Sequence, residues 1–158
     1  MMTFKFEKDE KIPKKILESI WSQLNEIKDG VSRPSNHDIS KISKVGILGS
    51  GLMGHGIAYV SALAGIDVIM TDVSQNIANN GLDRINKILK QGLSHKILDQ
   101  ERVNHILNRI NPTNDYSKLN GCDIIIEAVF EDRKLKGKVT KISEHYLNSD
   151  GIFASNTS

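Results

Sequence analysis

The stretch VGILGSGLMGHG, residues 45–56, constrains the fold of this chain more than any other. Val45, Gly46, Ile47 and Leu48 make a short apolar strand, and Gly49, Gly51 and Gly54 follow at G-x-G-x-x-G spacing. Residues 52–64 then continue as a helix of small and apolar residues stopped by Gly65. A strand that turns directly into a helix needs a glycine at the turn. A helix packed hard against that strand needs another where side chains would collide. Such a unit buries its strand only beside others of its kind, so strands and helices are expected to alternate along the rest of the chain.

They do. Residues 66–71 read as a second strand ending at Asp72, and Ser74 is placed to cap a helix carrying Ile77, Leu82, Ile85, Ile88 and Leu89. Asp99 is placed to cap another helix with Val103, Ile106, Leu107 and Ile110, an antiparallel partner of the first. Residues 109–113 form a weak third strand, because Pro112 restricts its place in a sheet. Residues 123–129, rich in β-branched side chains, suit a strand buried on both faces. A helix over 132–147 and a last strand over 151–154 complete an α/β fold, a doubly wound, mostly parallel sheet.

Before this domain, Ile16, Leu17, Ile20, Trp21, Leu24 and Ile27 recur at helical spacing behind Pro13, with Gly30 just past the end. This amphipathic arm must cover something: the body of the domain, which is the simplest choice, a partner, or a further domain. The polar stretch GVSRPSNHDISK then reads as a linker, which divides the chain into an arm and linker over 1–43 and a domain over 44–158.

The glycine spacing, directly after a strand and opening a helix, is the fingerprint of a Rossmann-like dinucleotide site. The first glycine allows the turn, the second leaves room for a pyrophosphate, and the third lets helix and strand pack closely. Backbone N–H groups and the helix dipole face the phosphates. A glycine-rich turn that merely connects two elements is the alternative. Asp72, eighteen residues beyond Gly54 at the end of the second strand, weighs against it, since a carboxylate there accepts hydrogen bonds from the adenosine ribose. The same carboxylate repels a 2′-phosphate and no arginine closely follows it, which favours NAD over NADP. The loop lacks the G-K-[ST] ending of a phosphate-loop NTPase, whereas FAD is not excluded by the fingerprint alone.

Composition narrows the class further. The 158 residues carry 21 basic and 19 acidic side chains with the signs interspersed, so no nucleic-acid footprint is visible. Cys122 is the only cysteine, which rules out an internal disulfide or a thiolate metal cluster and fits a cytoplasmic setting. No signal peptide or membrane-spanning run is evident.

Three separated blocks, GSGLMGHGIAYVSALAGIDVIMTDVS, INPTNDYSKLNGCDIIIEAVFEDRKLKGKV and IFASNTS, resemble the NAD-binding domain of L-3-hydroxyacyl-CoA dehydrogenases from Lys44 to Ser158. IIEAVFED and ASNTS are not required of a generic dinucleotide domain. The arm is similar to the connector that precedes this domain in multifunctional fatty-acid oxidation proteins, where a hydratase domain lies upstream. The resemblance implies oxidation of an L-3-hydroxyacyl-CoA to the 3-oxoacyl-CoA with NAD as cofactor. It assigns Gly49, Gly51 and Gly54 to the pyrophosphate, Leu52 and Met53 to the cofactor's edge and Asp72 to the adenosine ribose. It carries Val129, Phe130 and Glu131 to the nicotinamide end, Lys136 to a cofactor contact, and Ser158 to the substrate hydroxyl and nicotinamide as the one residue on the catalytic side.

From the residues alone, Glu131 equally suits a helix start and Lys136 a solvated basic face with Arg133, Lys134 and Lys138. Ser50 replaces a usual alanine, placing a hydroxyl near the phosphates, and Gly137 interrupts a helix. The family's histidine base and its orienting glutamate follow ASNTS, so the resemblance implies a C-terminal dehydrogenase domain downstream or in trans. His37, His55, His95, His105 and His145 read as surface or packing residues. The alternatives are a non-catalytic truncated dinucleotide-binding module, or another NAD-dependent hydroxyacid dehydrogenase such as the 3-hydroxyisobutyrate type.

Overall fold

A computed structural model describes residues 14–31 and 41–156 of the chain. The chain divides into two units, Met1–Ser40 and Lys41–Ser158. In the first, helix α1 (Lys14–Lys28) buries none of its residues. Within it, Lys14 pairs with Glu18 one turn on, and the Lys28 ammonium lies 5.8 Å from the centre of the Trp21 ring. Gly30 ends it at a positive φ, as the sequence predicts. Most of the expected linker lies outside the described residues.

The second unit is built from β1 (Lys44–Leu48), α2 (Leu52–Leu63), β2 (Asp67–Thr71), α3 (Gln75–Ser94), α4 (Gln100–Asn108), β3 (Ile110–Thr113), β4 (Cys122–Glu127), α5 (Arg133–Ser143) and β5 (Leu147–Ser155). The five strands form one sheet in the order β3-β2-β1-β4-β5, and every pairing is parallel. Parallel neighbours require crossovers, so the helices cover both faces and the strands are buried between them. The period-two alternation of β1 and β2 feeds two cores, one on each face of the sheet. Val45 and Ile47, Val68 and Met70 pack with Ala58, Ile85, Leu89 and Ile106 of the helices on one face. Leu48, Ile69, Cys122 and Ile125 pack with Leu119 and Val139 on the other.

The local signals acted where they were read. The Ser74 side chain accepts the Ile77 N–H at 3.4 Å, and Asp99 accepts the Arg102 N–H at 2.7 Å. Pro112 is accommodated because β3 lies at the edge of the sheet. Three boundaries differ from expectation. Strand β4 ends at Glu127, and Ala128 and Val129 leave the sheet to line a cleft. Helix α5 stops at Ser143 instead of 147, because the Ser143 hydroxyl turns back on the carbonyls of Val139 and Thr140, at 2.7 and 3.2 Å, and a 3₁₀ turn (Glu144–Tyr146) follows. Strand β5 starts four residues before the expected 151. Its polar opening is hidden from a hydrophobicity reading, yet Leu147 pairs with Cys122 across a bulge and the Asn148 amide holds the Gly121 carbonyl and Asp123. A short 3₁₀ turn, Tyr116–Leu119, was not anticipated. No helix among the described residues is long and apolar enough to cross a membrane.

Candidate functional site

The strand order reverses direction at β1: the chain first winds outward through β2 to β3, then returns to β4 on the other side. The loops after β1 and β4 therefore diverge and leave a crevice at the carboxyl ends of the strands, the place where ligands bind in open α/β sheets. A cleft of about 660 Å³ lies there. Its walls include Gly49, Gly51, Leu52, Met53, Asp72, Val129, Phe130 and Glu131.

Each glycine of the loop has a separate physical reason. Gly49 has φ +96°, a conformation that costs any residue with a Cβ, and a Cβ there would also meet the Ala128 carbonyl oxygen at 2.7 Å. A Cβ on Gly54 would overlap the Gly49 carbonyl, so α2 can lie this close to β1 only without one. Gly51 is different. A Cβ there meets nothing within 4 Å, because the position faces open cleft. The first ladder bond of α2 runs from His55 N–H to the Gly51 carbonyl, which leaves the preceding N–H groups of the turn without helical partners at the positive end of the helix dipole. These are the features a pyrophosphate needs, and the residues fit a dinucleotide. His55 is buried, and its Nδ1 donates to the same Gly51 carbonyl, so it is a packing residue that braces the turn.

Asp72 stands at the end of β2 on one flank of this loop. One carboxylate oxygen accepts the Ser50 N–H and the Ser50 hydroxyl, both at 2.7 Å, and the other accepts the Val73 N–H at 2.8 Å. A carboxylate has about four acceptor positions, so one remains for a ribose hydroxyl while the group is held in place. Ser50 is fully buried, and its hydroxyl, with a single proton, lies between Asp72 and the Ile77 carbonyl, 2.9 Å from the latter. It supports Asp72 and, fully buried, does not line the cleft. Two further neighbours are not legible in the sequence. Tyr116, from the unanticipated 3₁₀ turn, lines the cleft, and burial together with the Asp72 charge pushes its phenol upward from the usual value. Arg84 reaches the Ser50 carbonyl at 3.3 Å from the third turn of α3, a position remote along the chain from Asp72.

On the other flank, the sequence signal around Lys136 changes meaning. Arg133, Lys134 and Lys138 are exposed, but the Lys136 side chain is 14% exposed and its ammonium has no exposed surface. That ammonium lies 3.2 Å from Glu127 and 2.9 Å from Glu131. Glu127, at the end of β4, is 1% exposed and was not singled out in the sequence, where it reads as one polar residue in an apolar run. It accepts the Val129 N–H at 2.8 Å and the Ser155 hydroxyl at 2.6 Å, and its backbone carbonyl accepts the Asn156 N–H at 2.7 Å. Burial opposes its ionisation, but the bonds from Ser155 and Val129 and the contact with Lys136 outweigh it, and the carboxyl lies below its ordinary value. The Lys136 ammonium is held above its ordinary value chiefly by Glu131, against the effect of burial. Asn156 lines the cleft, whereas Ser158 lies outside the described residues. No histidine is in the cleft lining, and no cluster of metal-binding side chains occurs among the described residues.

Known proteins resemble this chain in sequence and fold. The family model for the 3-hydroxyacyl-CoA dehydrogenase NAD binding domain matches residues 44–158. A fatty acid oxidation complex subunit alpha from Idiomarina loihiensis is 40% identical over 118 residues, which is 75% of this chain and 16% of that protein. Among solved structures, (S)-3-hydroxybutyryl-CoA dehydrogenase from Ralstonia eutropha superposes with a TM-score of 0.72 at 35% identity, covering 75% of this chain and 42% of that one. The dehydrogenase part of multifunctional enzyme 1 from C. elegans gives 0.68 at 31% identity, covering 78% of this chain and 28% of that one. The chain thus spans well under half the length of these relatives.

Proposed function

The chain belongs to the NAD-binding domain family of 3-hydroxyacyl-CoA dehydrogenases, and from that premise we propose that it is the cofactor half of an enzyme oxidising L-3-hydroxyacyl-CoA to 3-oxoacyl-CoA in fatty-acid β-oxidation. The observation that carries this reading is the cleft at the switch point, with an acidic residue at the β2 end, an open glycine turn after β1 and a charged cluster at the β4 end. When bound, NAD supplies the hydride acceptor. Gly49, Gly51 and Gly54 form the pyrophosphate cradle, Asp72 takes the adenosine ribose, and Leu52 and Met53, both exposed on the first turn of α2, cover the cofactor's edge. Val129, Phe130 and Glu131 line the nicotinamide side, and Lys136, paired with Glu131, is a further cofactor contact.

Loss of hydride from a secondary alcohol requires the hydroxyl proton to pass to a positioned base. The described lining has no histidine, so in this reading the base comes from a C-terminal dehydrogenase domain, downstream or in trans, which also completes the acyl-CoA cleft. Ser158 hydrogen-bonds the substrate hydroxyl. The arm over 1–43 is the connector from an upstream hydratase domain, the domain proper begins at 44, and the enzyme works in the cytoplasm. Titration with NADH and NADPH, followed by an acetoacetyl-CoA reduction assay with and without a separately expressed C-terminal domain, tests this. NADH binding with turnover only on mixing is the expected result. Turnover by the chain alone overturns the assignment of the base, and turnover under neither condition favours a non-catalytic binding module.

A further inference from the structure

Glu127 is a buried carboxylate that the proposed reaction does not use. It sits at the end of β4, immediately before the residues that line the cleft, and it cannot swing away. Val129 N–H holds one of its oxygens, Ser155 and Lys136 hold the other, and Asn156 ties its backbone to the end of β5. With Glu131 on the far side of the same ammonium, two carboxylates face one cation. Hydrogen bonds from Ser155 and Val129 and the facing ammonium favour the ionised form of Glu127, and the two carboxylates favour the charged form of Lys136, so two formal negative charges face one positive charge and leave one in excess.

The topology places that charge at one end of the dinucleotide. Asp72 ends β2 and the glycine turn follows β1, so a dinucleotide with its adenosine ribose on Asp72 and its pyrophosphate on the turn runs onward to β4. Its redox ring would then lie beside residues 128–131, of which Glu131 lines the cleft and pairs with Lys136, itself paired with the buried Glu127. The oxidised nicotinamide ring is a cation and the reduced ring is neutral, whereas the rest of the cofactor is the same in both. A fixed negative charge here therefore acts on the difference between the two forms.

We propose that Glu127, held with Glu131 and Lys136 at the end of β4, is a specificity-determining residue that favours the oxidised over the reduced cofactor. The inference rests on the cofactor placement given under Proposed function. A side chain whose role is only to hold the fold alters both affinities together, but an electrostatic role alters their ratio, and with a predictable sign.

The test measures dissociation constants for NADH, by fluorescence, and for NAD⁺, by displacement, on the 158-residue chain at low ionic strength. Glu127→Gln keeps the shape and removes one negative charge. It is expected to shift the ratio of affinities toward NADH about fivefold, the size of a unit charge acting over roughly 10 Å through a partly solvated site. For a two-electron couple this raises the bound midpoint potential by about 20 mV. Glu131→Gln, at an exposed position that does not endanger folding, shifts the ratio in the same direction. Lys136→Met, which adds a net negative charge, shifts it in the opposite direction. Equal loss of both affinities in Glu127→Gln with no change of ratio in Glu131→Gln overturns the inference and leaves the cofactor assignment intact. A parent chain that binds neither cofactor overturns both.

Discussion

Gly51→Ala separates ligand recognition from folding in this loop, and Gly54→Ala is its control. At Gly51, φ is −63° and ψ −160°, so alanine adopts the backbone without strain, and its methyl group meets no protein atom within 4 Å. Alanine is a poorer N-cap than glycine, but it also lowers the entropy of the unfolded chain. The two effects are each below about 1 kcal/mol and of opposite sign. Unfolding free energy is therefore expected to change by no more than about 0.5 kcal/mol. The methyl group instead enters the open space proposed for the pyrophosphate, and overpacking of this kind costs about 1–3 kcal/mol. At 1.4 kcal/mol per decade, NADH affinity falls roughly 5- to 150-fold. Gly54→Ala drives a methyl group into the Gly49 carbonyl, and backbone cannot yield as a side chain tip does. It should lose about 3 kcal/mol or more of stability, lowering the unfolding midpoint by about 10 °C. Denaturant and thermal unfolding read one consequence, and NADH fluorescence titration the other. If Gly51→Ala binds NADH as the parent does, or is as unstable as Gly54→Ala, the glycines do not divide their roles as the geometry requires.

Ser50→Ala removes a hydrogen bond to the Asp72 carboxylate while leaving the backbone N–H bond in place. Stability should fall by about 1–2 kcal/mol, and the preference for NADH over NADPH should narrow as the carboxylate loosens; an unchanged preference means the backbone bond alone positions Asp72. Asp123 accepts the N–H groups of Ser43 and Lys44 and the Ser43 hydroxyl, which hold its carboxyl at about 2 against an ordinary 3.8. A depressed carboxyl stabilises the fold above its unfolded value, and the contribution is lost as pH falls from about 4 toward about 2. Asp123→Asn should flatten the unfolding free energy across that window, as measured by denaturant titration from pH 6 to 2. Burial pushes the Cys122 thiol up to about 11 from 9.0, so its stabilising effect is present below pH 9 and declines as pH rises toward 11. At pH 8 a disulfide-exchange reagent should modify Cys122 only as fast as the domain opens, and rapid labelling of the native protein would refute its burial.

Much of this architecture was legible before any coordinates, and for local reasons. A cap such as Ser74 or Asp99 bonds an N–H three residues on, and the glycine turn is a backbone requirement within a few residues, so both are written in short stretches of chain. The place of Asp72 at the end of β2, beside the glycine turn, is legible the same way, from its distance along the chain to the glycines. The other half of the site is made by partners that are remote in sequence. Ser155 reaches Glu127 across 28 residues, and Ser50 reaches Asp72 across 22. Neither serine differs in the sequence from any solvated serine.

The same limit explains Lys136 and β5. Within a basic helix, Lys136 has the pattern of an exposed residue, and only the packing of α5 beside the end of β4 turns it inward between two carboxylates. The polar opening of β5 becomes strand because Cys122 and Asp123 offer it partners. The sequence by itself determined the alternation, the turn and the cofactor class, since each follows from periodicity, backbone freedom and spacing. Tertiary structure alone decided which charges meet at the β4 end, because a buried ion cluster exists only where separate segments converge and exclude water together.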